Sequence, residues 1–336
     1  MAHGLRTNDM NGPPGKLNIA VWGLGRHAFK NVLPAIRNCC ETTLIGVFSR
    51  DETARSRASQ EFGCEAFPDE LSMLCDPRVT AVYLATPIGV HFEQGRRVLE
   101  QGRHLLCEKS LTDDFQKSSE LIAAARSRGL VLCETFMYRF HPRFAALLNL
   151  VGSAAFGRVV SVTCSFYVPT LEHPGYRYNS LLGGGAFLDV GCYLISLARA
   201  IGEPVSVDFA RLSTATGSNV DTGGVAFLRL RDDGHAYLDW GYGAAYKNEV
   251  TVLGENQSVY ADYVFSKGGS NCSELLLRDS NGRQQRLPII STDSFVEMLA
   301  YAVKAICNQQ MRDDLLSEAA GQAWWMDEIR KRALGA

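Results

Sequence analysis

The stretch Lys16 to His27, read KLNIAVWGLGRH, constrains this chain more than any other. An apolar run of Leu17, Ile19, Ala20 and Val21 stops at Gly23-Leu24-Gly25. Helix-compatible sequence follows, with Ala28 at the third small position. This is G-x-G-x-x-A where a strand meets a helix. Gly23 permits the tight turn, Gly25 lets a pyrophosphate approach the backbone, and a small residue at 28 lets the helix pack close on the strand. The free amides and positive end of that helix then face the phosphates. The pattern predicts a dinucleotide site with Gly23, Leu24, Gly25, Arg26 and His27 against the cofactor. The plainer alternative is a glycine turn that ends a strand and binds nothing.

The length, 336 residues, suits two domains, and 46% hydrophobic residues supply an ordinary core. A formal charge of −2 argues against nucleic acid as a partner. No apolar run approaches membrane-spanning length, so no transmembrane helix is predicted. Residues 1–15, with Asn11-Gly12-Pro13-Pro14-Gly15, lack the apolar core of a signal peptide and read as a disordered lead-in. None of the ten cysteines forms C-x-x-C, so neither a metal site nor a redox pair is expected. Cys107 and Cys133 lie in apolar runs, as buried reduced thiols of a cytoplasmic protein would.

Strand and helix patterns alternate up to Cys133. Strands are expected at Thr43 to Phe48, Ala81 to Ala85, His104 to Cys107 and Leu130 to Cys133. Helices are expected from Glu52 to Phe62, from His91 to Gln101, and after Thr112-Asp113-Asp114 as far as Arg128. Pro34 should kink the first helix. Such alternation predicts a doubly wound parallel sheet with ligands at the carboxyl ends of its strands. The second strand runs into Ser49-Arg50, with Asp51 only after them. A hydroxyl and a guanidinium there suit a 2′-phosphate, which favours NADP(H) over NAD(H). The alternative leaves Arg50 solvated and gives the ribose to Asp51.

Beyond Phe136 the pattern changes. Val159 to Val168, Val205 to Ser213, Gly224 to Arg231, Ala236 to Tyr242 and Glu249 to Leu253 are strand-like, and Asp233-Gly234 and Asn281-Gly282 mark turns. This predicts an open, largely antiparallel sheet, followed by two helices, Phe295 to Cys307 and Leu315 to Arg332. Trp324 and Trp325 read as packing. Gly183-Gly184-Gly185 leads into a helix from Ala186 to about Ile201. Asp189 and Tyr193, four apart, should share one face of it, as a phenol held by a carboxylate would.

Several segments align with one family: the glycine turn, Ser49-Arg50-Asp51, Ala85-Thr86-Pro87 with His91, and Cys107-Glu108-Lys109. Two more are Phe136 to Pro142 (FMYRFHP) and Gly183 to Tyr193 (GGGAFLDVGCY). From Lys16 onward the chain resembles the glucose–fructose oxidoreductase / inositol dehydrogenase / MocA (Gfo/Idh/MocA) family. The resemblance implies a Rossmann domain at 16–135 and a substrate-binding α+β domain at 136–336. It also implies an oligomer contact on the outer face of the second sheet, hence a homodimer or homotetramer.

The family's Glu-Lys-Pro motif puts the catalytic lysine at Lys109, with Thr86, Pro87, His91, Glu108 and Lys109 near the cofactor. Ser110 replaces the usual proline, which could loosen the lysine's backbone. Ile88 stands where a polar residue is usual. Hydride transfer to a carbonyl also needs a proton for the oxygen. That chemistry points to Tyr193 as general acid/base, where many family members carry His, with Lys109 as its electrostatic partner favouring the phenolate and Asp189 as substrate or hydroxyl anchor. Tyr138, Arg139 and Arg177 are expected at the substrate. Each has a plainer alternative: a surface pair, a solvated lysine, a helix cap at His91, core packing. The function implied is an NADP(H)-dependent oxidoreductase on a sugar or sugar nucleotide, in the direction of ketone reduction. Alternatives are an aldose or dihydrodiol dehydrogenase and a non-catalytic nucleotide sensor.

Overall fold

The computed structural model describes residues 16–170, 172, 175–265 and 274–335. The lead-in at 1–15 and Cys272 lie outside the described residues. The first sheet is built from β1 (Leu17–Trp22), β2 (Thr42–Phe48), β3 (Glu65–Ala66), β4 (Ala81–Leu84), β5 (His104–Cys107) and β6 (Leu132–Glu134). Its covering helices are α1 (Leu33–Asn38), α2 (Glu52–Phe62), α3 (Glu70–Cys75), α4 (His91–Glu100) and α5 (Phe115–Ser127). All pairings are parallel, in the order β3-β2-β1-β4-β5-β6. The order reverses between β1 and β4, so a crevice opens beyond their carboxyl ends. Every residue of β4 is buried, as a strand covered on both faces must be.

α6 (Pro142–Val151) leads out of the first domain. The second sheet comprises β7 (Val159–Val168), β8 (Pro204–Ser213), β9 (Gly223–Leu230), β10 (His235–Tyr242), β11 (Lys247–Gly254), β12 (Gln257–Asp262), β13 (Glu274–Asp279) and β14 (Gln284–Pro288). Their order is β14-β13-β12-β11-β7-β10-β9-β8, antiparallel except where β7 runs parallel to β10. α7 (Cys192–Gly202) covers its inner face, and α8 (Ser294–Cys307) and α9 (Gln309–Leu334) close the chain. The doubly wound parallel sheet joined to a largely antiparallel open sheet is the architecture the pattern predicts.

Five local readings need correction. The kink expected at Pro34 takes the form of a π-helical turn, Ala28–Val32, just before it. The helix expected from Ala186 likewise begins with a π-helical turn, Phe187–Gly191, before α7. α8 and α9 return across the first domain instead of staying with the second. Leu316 and Ala319 of α9 pack with β4, β5 and α5, and Trp325, Met326 and Ile329 join the core of the second domain. Trp325 is buried, but Trp324 is exposed against its edge. Finally, Ser180–Gly202 is apolar and long enough to cross a membrane by length and composition, contrary to the sequence reading, and 78% of its apolar window is buried in the core. The described cysteines are all free; Cys39, Cys107, Cys133, Cys164 and Cys192 are buried, whereas Cys40, Cys75 and Cys307 are exposed.

Candidate active site

At the mouth of β1, Gly23 has φ 103°, and a Cβ there would lie 2.8 Å from the backbone of Ala85. Only glycine lets the ends of β1 and β4 approach this closely. A Cβ on Gly25, by contrast, would meet nothing within 4 Å, so the turn faces open space at the point where a pyrophosphate needs the backbone. Exposed Arg26 and His27 begin the helix. His27 Nε2 lies 3.0 Å from Glu108 Oε1, which also accepts from the Tyr83 hydroxyl at 2.6 Å. Burial opposes the charge on Glu108, but His27, Tyr83 and Lys109 outweigh it and lower its pKa. Glu108 thereby ties the glycine turn to the end of β5.

At the end of β2, Asp51 Oδ1 accepts from Ala54 N at 3.1 Å and caps α2. Ser49 Oγ lies 3.3 Å from Asp51 N, and Arg50 is exposed with no partner among the described residues. An open cleft lies beside Asp51, lined also by Leu24, Arg26, Lys30 and Arg57. Thr86 Oγ1 donates to Gln94 at 2.6 Å, and Ile88 is buried. His91 is fully buried, with Nδ1 3.0 Å from Ser110 O and Nε2 2.8 Å from Thr86 O. Both ring nitrogens thus face backbone carbonyls, so His91 clips two loops together and has no atom left for a ligand. Burial pulls its pKa below the usual value.

Lys109 leaves the end of β5, and the Lys109–Ser110 peptide is cis. Its Nζ lies 2.5 Å from Asp189 O, 3.0 Å from Asp189 Oδ1 and 4.9 Å from the centre of the Tyr193 ring. Asp189 is buried, and its Oδ2 accepts from Arg177 Nε at 2.7 Å and from the Tyr242 hydroxyl at 3.1 Å. Burial works against this carboxylate, yet Lys109 and Arg177 hold it well below the usual range. Lys109 is likewise raised by Asp189, over the opposing cost of burial.

The expected pairing of Asp189 with the Tyr193 phenol is not formed. Four-residue spacing brings side chains together on an α-helix, but a π-helical turn carries the chain between these two. Among the described residues the Tyr193 hydroxyl makes no hydrogen bond. Its ring is packed by Phe136, Tyr138, Phe166 and Phe265, at centroid separations of 5.2–5.9 Å. Burial raises the phenol's pKa, and Lys109 only moderates the rise. The group therefore keeps its proton, where the sequence reading expected the ammonium to favour the phenolate.

Two expected substrate residues point elsewhere. Tyr138 is buried and donates to Ser196 Oγ at 2.8 Å; Arg139 pairs with Glu318 at 2.6 Å and also reaches Ser196. Both belong to a polar network behind the site, not to a cleft. Arg177 is at the site, but on Asp189. The triple glycine puts it there: a Cβ on Gly184 would lie 2.6–2.8 Å from the carbonyls of Arg177, Tyr176 and Asn179. Sequence reasoning missed Tyr242, which sits in an alternating strand and carries no motif.

Two family profiles match: "Oxidoreductase family, NAD-binding Rossmann fold" over residues 17–136, and "GFO/IDH/MocA C-terminal domain" over 144–260. The chain is an oxidoreductase of the Gfo/Idh/MocA family. Among its relatives, a dTDP-3,4-didehydro-2,6-dideoxy-alpha-D-glucose 3-reductase of Streptomyces violaceoruber is 33% identical, covering 81% of this chain and 80% of that one. D-xylose 1-dehydrogenase (NADP(+)) 2 of Haloferax volcanii is 31% identical, over 82% and 85%. The crystal structure of KijD10, a 3-ketoreductase from Actinomadura kijaniata in complex with NADP and TDP-benzene, superposes with a TM-score of 0.89 at 27% identity, over 95% of this chain and 98% of that one.

Proposed function

We propose that this oxidoreductase reduces a ketone on a sugar nucleotide with NADPH, in the cytoplasm. The observation that carries the reading is the Lys109 ammonium 4.9 Å from the centre of the Tyr193 ring, with the phenol hydroxyl unengaged among the described residues; burial, which raises the phenol's pKa, accords with its acting as an acid. NADPH, when bound, would supply the hydride. Tyr193 gives its proton to the substrate oxygen, and Lys109 stabilises the negative charge that grows there and on the phenol. Asp189 holds Lys109 in place and, through Arg177, the edge of the substrate cleft. KijD10 supports this pairing: variants of a lysine and of a tyrosine have been crystallised, and those two residues are 84 positions apart, as Lys109 and Tyr193 are.

For the cofactor, the glycine turn, Arg26 and His27 would meet the pyrophosphate side, with Glu108 and the Thr86-Pro87 loop toward the nicotinamide end. Ser49 and Arg50 would meet the 2′-phosphate. The engagement of Asp51 in capping α2 supports NADP(H), because the acid that a ribose diol wants is already used. The outer face of the second sheet offers Phe209, Phe227 and Tyr237, exposed and in adjacent register. A second copy of the chain covering that face, in a dimer or tetramer, fits it; a monomer in sedimentation velocity removes this part.

The test is NADPH oxidation with dTDP-linked 3-keto sugars. Tyr193→Phe should lower kcat roughly 100-fold or more while leaving NADPH binding intact. Tight NADPH binding with no oxidation on any keto sugar would overturn the reading in favour of a sensor.

A further inference from the structure

Ser110 occupies the position where the family resemblance implies proline. It is buried, and its Oγ donates to Leu188 O at 3.1 Å, across 78 positions of sequence. Its own carbonyl faces His91 Nδ1 at 3.0 Å. One residue earlier, Lys109 Nζ meets Asp189 O at 2.5 Å; one residue later, Leu111 N donates to Glu134 Oε1 at 2.8 Å. Adjacent residues of the lysine loop thus grip adjacent carbonyls of the Phe187–Gly191 turn. A π-helical turn interrupts the regular i→i+4 ladder, and such turns recur at functional sites. Here the interruption is met by donors from the other domain.

We propose that Ser110 is a positioning residue. Its hydroxyl fixes the lysine loop against the turn that carries Asp189 and leads into Tyr193. It thereby sets the separation of Lys109 from Tyr193, the task that ring closure at a proline would otherwise share. The hydroxyl goes to the carbonyl next to Asp189, where Lys109 makes its own contact, and also meets the thiol of Cys192, at the start of α7. The inference rests on the reading of Lys109 and Tyr193 as the reacting pair.

Two substitutions separate the donor from the volume it fills: Ser110→Ala removes the donor, and Ser110→Cys keeps nearly the same size with a weak one. Both should lower kcat about 10-fold with an unchanged KM for NADPH, since displacement of a catalytic group costs rate more than binding. Both should raise the isotope effect with 4-deuterated NADPH, as hydride transfer becomes the slower step. Melting temperatures should stay near that of the parent protein. Hydrogen exchange read on the protein alone should quicken together at residues 108–112 and 187–191 in Ser110→Ala. Unchanged kcat, a loss that tracks NADPH affinity or melting temperature, or exchange that quickens in neither or only one segment overturns the role of Ser110. Exchange needs no substrate. If the parent protein turns over no keto sugar, the functional reading falls, and exchange still decides whether Ser110 couples the two segments.

Discussion

Two π-helical turns stand at opposite ends of the candidate site, one just after the glycine turn and one against Lys109, and their causes differ. The first, Ala28–Val32, precedes Pro34 in the first turn of α1. Proline has no amide to donate four residues back, and its ring crowds the carbonyl there. Widening the helix just before it relieves both, so the cause lies within a few residues. The second, Phe187–Gly191, contains no proline. Its start is tied to Asp221: Phe187 N donates to Asp221 Oδ2 at 2.7 Å, and Ala186 N to Asp221 O at 2.9 Å. Its end rests on Trp240, whose indole would be 3.0 Å from a Cβ on Gly191. Its middle is held by Lys109 and Ser110. A turn shaped by a neighbouring proline is built from local covalent geometry. A turn that must bring a carboxylate to a lysine of another domain is built by the tertiary structure, and it is only as exact as its distant partners.

The harshest way to break the second turn is to discharge its centre. Asp189→Asn leaves the Lys109 ammonium and the Arg177 guanidinium facing each other with no counter-charge in a buried site. Loss of one partner of a buried pair costs about 3–5 kcal/mol. Melting temperature should fall sharply, and kcat should drop roughly 100-fold or more. NADPH affinity should hold, because Asp189 does not touch the first turn. If affinity falls as far as turnover, the two ends are not independent and the contrast fails.

A milder lever is pH. Glu134 Oε1 takes the amide of Leu111, so this carboxyl steadies the same lysine loop from behind. Burial pushes its pKa up to about 7. That lies above the unfolded value, so its contribution to stability is complete below the ordinary carboxyl range and is lost as pH rises through about 7. Glu134→Gln keeps an acceptor for Leu111 N and removes the titration. The variant should gain about 2 kcal/mol over the parent at pH 8 and little at pH 5, read as melting temperature against pH. Parallel curves for the two proteins would show that Glu134 does not titrate in this range.

How much could be read in advance follows the same division. The first sheet, the glycine turn and the helix cap at Asp114 depend on near neighbours in sequence, and local pattern reveals them, whereas the cap at Asp51 was not foreseen. Lys109 is legible as a lysine just past a buried strand. Asp189 and Tyr193 could be named, but their mutual geometry could not, since four-residue spacing assumes an uninterrupted α-helix. Tyr242 reaches Asp189 only because β10 has one particular register beside β7 and β9. Tyr138 and Arg139 were expected in the cleft. The packing of α7 and α9 turns them to Ser196 and Glu318 instead, and no local signal carries that choice.

The gentlest comparison alters one cause in each turn. Alanine at 191 must push the Trp240 ring by a few tenths of an ångström. Overpacking of that kind costs about 1 kcal/mol at its low end, and alanine's gain over glycine in a helix, also about 1 kcal/mol, offsets part of it. Gly191→Ala should therefore leave melting temperature almost unchanged and still lower kcat several-fold, as the strain reaches Asp189. Pro34→Ala removes the obstacle at the first turn, which should then relax toward a regular α-helix. It should leave kcat alone and shift only the KM for NADPH, with stability level or raised by under about 1 kcal/mol. The two variants should thus separate, one in kcat and one in cofactor KM. A Pro34→Ala protein that keeps its π-helical turn in a crystal structure would show that the first turn, too, is held from a distance.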